Sequence, residues 1–218
     1  MIGVDLRRST SCAALLGSLL FAASLAAQTP SPTASADPQA AELIRQSLVL
    51  LHQGEQTISE SERRSSYERG LELAVKAVEL DPGSAEAHWA EFANRGRLMW
   101  MQGVFPSLIH LFRLRRSLNR TLDLDPNHSG ALTARGAMYR ELPGFLGGDL
   151  DKSQADLERA MALDPSSIAT RLHLARTYLE AGKREQALPL IEAGKRMARE
   201  RNSPNHLADA EELSREAL

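Results

Sequence analysis

The chain has 218 residues, 43% of them hydrophobic, and a formal net charge of −2; that much apolar material supplies one sizeable core or two small ones and excludes disorder as the dominant state. Its 26 basic and 28 acidic residues are interspersed, so no strong field exists to draw nucleic acid. Aromatics are only 5% while Ala, Leu, Glu and Arg abound, which favours an all-α chain over sheet on intrinsic propensity.

Residues 1–36 read as a leader, separate from the fold. Arg7 and Arg8 precede the apolar run Ala13 to Ala27, long enough for a signal-peptide core and too short for a spanning helix. Small residues at Ser24 and Ala26, or at Ala34 and Ala36, offer cleavage sites before or within the Pro/Ser/Thr-rich stretch that follows. The expectation is a secreted, periplasmic chain, with an uncleaved N-terminal anchor as the alternative. Arg7-Arg8 is not followed by the apolar residues of a twin-arginine signal, so the general export route is expected. Cys12 lies upstream of the apolar run, which does not suit lipid attachment, and cleavage leaves a mature chain without cysteine, stabilised by packing instead of disulfides.

Residues 37–218 read as one helical repeat domain. Its first predicted helices span 38–54 and 58–80, the second with Leu71, Ala74, Val75 and Val78 on one face. It runs into Leu80-Asp81-Pro82, a tripeptide that returns at Leu124-Asp125-Pro126 and Leu163-Asp164-Pro165. Proline cannot continue a helix and pushes the residue before it out of the α region, so each copy is a stop. The polar residues after each stop, Ser84, Asn127 to Ser129, and Ser166-Ser167, can cap the next helix. Helices are accordingly predicted over 84–101, 106–124, 129–141, 149–163, 167–181, 183–200 and 204–217. The prolines lie 44 and 39 residues apart, longer than the ~34 of a tetratricopeptide repeat. The excess implies longer turns or helices. Gly136-x2-Tyr139, Leu174-Ala175-x2-Tyr178 and Ala187-x3-Ile191 fit that repeat's alternation of small and large residues, while Trp89-x2-Phe92-Ala93 sits one place off register. The expected fold is therefore an all-α, tetratricopeptide-like solenoid of helical hairpins, a right-handed superhelix of about nine helices with one concave side. The last helix is polar on most faces, as an end cap should be.

Between the predicted helices 84–101 and 106–124, the segment Leu98 to Phe112 concentrates apolar mass in Met99, Trp100, Met101, Phe105, Ile109 and Phe112. It reads either as the core of the central pair or as the lining of a pocket or contact surface, a role that suits Met and aromatic side chains. A second candidate is Leu142 to Asp149, LPGFLGGD. Consecutive glycines before a helix can present N–H groups to an anion, but Lys152-Ser153 follows Asp151 instead of glycine, and Asp149 and Asp151 would repel phosphate. The preferred reading is a joint: Pro143 ends one helix, Gly147 and Gly148 supply positive φ or close approach, and Asp149 caps the next. Phe145 and Leu146 remain available to a partner. The candidate contact residues are thus Trp89, Trp100, Phe105, Phe112, Phe145 and Leu146.

Catalytic chemistry finds no footing. His52, His88, His110, His128, His173 and His206 form no i, i+3 or i, i+4 pair, and neither a zinc pattern nor a G-x-S-x-G elbow is present. Pairs such as Glu60/Glu62 and Glu211/Glu212 fit a solvated helix face. No enzyme, cofactor or metal is expected.

The run HWAEFANRGRLMW, followed by LNRTLDLDPNHSGALTARGAMYRELPGFLGGDLDKSQADLERAMALDP, resembles the T-component family of TRAP transporters (TatT-like proteins). There a tryptophan-bearing helix, an LDP stop, a Gly-Ala helix start and an LPGxxGGD turn occur in this order. The resemblance covers roughly residues 85–190, and Trp89, Trp100 and the Leu142 to Asp149 loop match its pattern. It implies an all-α, self-associating extracytoplasmic protein that partners a solute-binding protein of a transporter for small organic, including hydrophobic, ligands. The chain departs from the family in having no lipobox cysteine after the apolar run. A general envelope-assembly scaffold is the alternative.

Overall fold

The computed structural model describes residues 37–57, 59–101 and 108–218. The leader, Phe105 and the side chain of Ile109 lie outside the described residues. Within them are nine α-helices and no strand: α1 (Pro38–Gln56), α2 (Glu60–Leu80), α3 (Ala85–Met101), α4 (Leu108–Leu124), α5 (Ser129–Glu141), α6 (Leu150–Leu163), α7 (Ile168–Glu180), α8 (Arg184–Glu200) and α9 (Pro204–Glu216), with a 3₁₀ turn at Gly144–Leu146. Every element falls within a few residues of its predicted span, and each of the three Leu-Asp-Pro stops ends its helix.

The stop works through aspartate as much as proline. Asp81, Asp125 and Asp164 each leave the helix, and their carboxylates accept the N–H two residues on, from Gly83, Asn127 and Ser166. Their carbonyls accept the N–H of Ser84, His128 and Ser167. Proline between them has no N–H to leave unpaired, so the turn satisfies its backbone within four residues. The next helix then starts on a side-chain cap: Ser84 Oγ accepts from Ala87 and Ser167 Oγ from Thr170. At the middle stop the cap is His128, whose Nδ1 accepts from Ala131 at 3.1 Å.

Consecutive helices pack as antiparallel neighbours, while α1 also meets α3, α5 meets α7, and α7 meets α9. The odd-numbered helices therefore stand parallel. Cross-links at both ends confirm it. Arg97 of α3 pairs with Glu55 of α1 and Arg140 of α5 with Glu180 of α7, all near helix C-termini. His128 reaches Glu86 at the start of α3, and Arg201 reaches the Ser166 carbonyl, all at the opposite end. The stack thus has two edges, one carrying the Leu-Asp-Pro turns and the other formed by the opposite helix ends, with the α5–α6 joint among them.

Its interior is a series of local clusters: Ile44, Ala77 and Ala87 between α1, α2 and α3; Leu118, Leu122, Ala131, Leu132 and Ala160 around α4 to α6; and Ile168, Leu172, Ala175, Ala187, Ile191, Ala198, Ala210, Leu213 and Ala217 in α7 to α9. Each fully buried leucine contributes about 2–3 kcal/mol of transfer free energy. Alanines at 0% exposure in α2 and α3 let those helices approach closely. The end helix α9 is polar outward and closes the last cluster with Ala210 and Leu213.

Candidate interaction surface

The joint between α5 and α6 has the geometry expected of LPGFLGGD. Gly147 adopts φ +91°, and a Cβ on Gly148 would lie 1.7 Å from the Leu142 carbonyl oxygen. Asp149 caps α6 by accepting from the Lys152 N–H at 3.0 Å, and its own N–H donates to the Tyr139 carbonyl at 2.7 Å. Its N–H groups are therefore spent on the turn itself: Gly147 donates to Gly144 and Gly148 to Pro143. The Lys152 backbone N–H, and after it the Lys152 ammonium, hold the Asp149 carboxyl below the usual carboxylate range. The loop is built as a joint.

The candidate contact residues fall into two groups. Trp89 is half-buried: its ring stacks on Phe92 at 5.5 Å, leans on His128 at 5.0 Å and covers Gly130, where a Cβ would come within 2.9 Å of it. Because His128 Nδ1 accepts the Ala131 N–H, its Nε2–H is the group that donates to Glu86 at 3.0 Å. Trp89 is thus a wedge clamping α3 to α5. Leu146 is half-buried, with its carbonyl accepting from Arg115 of α4.

Trp100, Phe112 and Phe145 are different, with exposures of 76%, 66% and 88%. Trp100 is the penultimate residue of α3, Phe112 lies in the second turn of α4 and Phe145 tips the α5–α6 joint, so all three lie towards the edge opposite the Leu-Asp-Pro turns. The Arg115 bond to Leu146 ties the middle of α4 to that joint. A recess of about 20 Å³, room for one water, lies between α4, α5 and the joint, lined by Arg115, Leu118, Met138 and Gly147 among others and by none of the three aromatics.

Two polar groupings were not anticipated from sequence. Arg140, its side chain 2% exposed, pairs with Glu141 at 2.8 Å and Glu180 at 3.3 Å and donates to the His173 carbonyl at 3.4 Å. Burial, reinforced by the Arg140 and Arg176 guanidinium charges, pushes the His173 imidazole down to about 4. These partners lie on α5 and α7, too far apart in the chain for any spacing rule. The second is a groove of about 1050 Å³ beside α4, lined by Arg95, Arg113, Arg116, Arg120 and Phe112 among others. It escaped notice because the charge of the whole chain is balanced; the run RLRRSLNR was its only signal. Among the described residues no cluster of His, Cys, Asp and Glu could hold a metal ion, and no helix is long and apolar enough to cross a membrane.

Comparison with known proteins gives the repeat a name. The tetratricopeptide repeat family model matches residues 145–214. Two curated mammalian relatives, each an FK506-binding protein-like protein, are similar in part: the mouse protein is 32% identical over 122 residues, 56% of this chain and 31% of its own length. The rat protein is 36% identical over 72 residues, 33% of this chain and 19% of its own. The chain therefore spans less than a third of either. Among solved structures, the pilF protein of Pseudomonas aeruginosa superposes with a TM-score of 0.49 at 19% identity, covering 80% of this chain and 72% of that one. Residues 145–214, about a third of the chain, thus match the tetratricopeptide repeat family, and the helices before them pack as antiparallel neighbours in the same way.

Proposed function

We propose that this chain is a non-enzymatic, extracytoplasmic interaction scaffold, and that the edge carrying Trp100, Phe112 and Phe145 docks a protein partner. The observation that carries the reading is the exposure of those three aromatics together on one edge. Leaving each in water forgoes roughly 4–6 kcal/mol of burial by area, an upper estimate. Large aromatics left exposed on one edge mark contact surfaces. A stack of repeats presents such a surface rigidly, without needing a catalytic cleft.

The sharper form of the proposal is an accessory T component of a TRAP-type transporter, with a solute-binding protein as the partner. Its support is the motif order running from Trp89 through the Leu142 to Asp149 joint, together with the leader-like residues 1–36. The test is affinity capture from a periplasmic extract, comparing the native chain with a Trp100→Ser/Phe112→Ser/Phe145→Ser variant. Recovery of a solute-binding protein by the first and not the second is the expected result. Recovery of envelope-assembly proteins instead would favour the general scaffold, and equal recovery by both chains would overturn the docking edge. N-terminal sequencing of the exported protein, expected to begin after residue 26 or 36, checks the location.

A further inference from the structure

The groove beside α4 is chemically unlike the rest of the surface. It is walled by Val78 and Pro82 at the end of α2, by His88, Glu91 and Arg95 of α3, and by the arginines of α4. Some of its charge is already used: Arg95 pairs with Glu91 at 2.6 Å, Ser117 Oγ donates to the other Glu91 oxygen, and Arg115 holds the Leu146 carbonyl. Arg113, Arg116 and Arg120 are exposed, and none has a carboxylate partner among the described residues. Their i, i+3, i+7 spacing sets three free guanidinium groups in one stripe about 10 Å long. Phe112 stands beside it, 66% exposed.

We propose that this groove binds an acidic peptide segment of a protein partner, with carboxylates paired to Arg113, Arg116 and Arg120 and an apolar residue against Phe112. Charge complementarity selects the occupant. Guanidinium is planar and takes carboxylate in a two-point grip, and an acidic helix with carboxylates at i, i+3 or i+4, and i+7 matches the stripe. Glu91 and Asp123 in the lining disfavour a continuous polyphosphate, and a stripe this short cannot neutralise the six or more phosphates of a firm nucleic-acid contact. A flat bilayer would touch only the rim. The inference rests on the interaction-scaffold reading but not on which protein is the partner.

The test is fluorescence anisotropy of the full chain with a short, labelled Glu-rich peptide containing one Leu. Expected are saturable binding that weakens with added salt, at least about tenfold loss in Arg113→Glu/Arg116→Glu/Arg120→Glu, and binding of a Lys-rich peptide by that variant. An Arg184→Glu/Arg215→Glu control, reversing exposed charges elsewhere, keeps the native affinity. The milder Arg113→Gln/Arg116→Gln/Arg120→Gln variant, with helicity checked by circular dichroism, guards against misfolding. Equal weakening in the control overturns the proposal, as does tighter binding of an oligonucleotide or of phosphatidylglycerol vesicles than of the peptide. No peptide binding, while the Trp100 and Phe145 edge still captures its partner, overturns this inference alone.

Discussion

At Gly148 there is no room for a side chain: a Cβ would overlap the Leu142 carbonyl, a backbone atom that cannot swing aside. Gly148→Ala is expected to cost about 3 kcal/mol or more. Gly144, four residues earlier with open space around it, should accept Ala within about 0.5 kcal/mol. Urea midpoints of the two variants check the contrast, and this joint is the part of the candidate region that the sequence made most legible, since Pro, Gly-Gly and Asp each have one local role there. His173 is not legible in this way, because burial between helices, and then the Arg140 charge from α5, set its titration, and neither has a local sequence signal. Its ring stays neutral in the folded chain down to about 4, whereas an unfolded histidine titrates near 6.5. As pH falls through that window the unfolded state takes up a proton that the folded state refuses. Stability is therefore full above the window and lost towards its lower end, by at most about 3 kcal/mol. His173→Gln should flatten the slope of stability against pH between those values; an unchanged slope would show that another group is responsible.

Among the elements, α8 breaks a rule that holds elsewhere. Proline ends α2, α4 and α6, yet Pro189 sits inside α8, where it removes one backbone hydrogen bond. The difference lies in context. After Leu-Asp the aspartate turn offers the backbone a satisfied exit, whereas Pro189 is exposed on a helix anchored through Ala187 and Ile191 on its other face. Packing overrides the local break. Pro189→Ala should raise stability by about 1–3 kcal/mol, seen as a higher thermal midpoint; a lower midpoint would mean that the proline relieves a strain of its own. Helix boundaries were readable because their signals are local: Leu-Asp-Pro stops, serine caps and a 3.6-residue apolar period. The role of α4 was not, since Leu111, Leu114, Leu118 and Leu122 announced its buried face while its arginines were diluted into a neutral total. Trp89 packs against Phe92 on its own helix and against His128 and Gly130, 39 and 41 residues on, which no local spacing announces.

Over the whole molecule, contacts join near neighbours in the stack, so stability is expected to vary along it instead of collapsing all at once. Leu213→Ala empties a fully buried site in the last cluster and should cost about 2–5 kcal/mol there. In hydrogen exchange it should expose α7 to α9 while α1 to α3 keep their protection; uniform loss along the chain would mean that the stack unfolds as one unit. The same architecture puts the exposed aromatics on one edge and the Leu-Asp-Pro turns on the other. Photo-cross-linking in the producing cell tests this division of labour most directly, with a benzophenone amino acid placed at Trp100 or Phe145 and, on the opposite edge, at Asn127 or Ser166. Adducts with a single protein partner from Trp100 and Phe145, and none from Asn127 and Ser166, are the predicted result. Adducts from the Leu-Asp-Pro edge, or none from the aromatic one, would contradict the account.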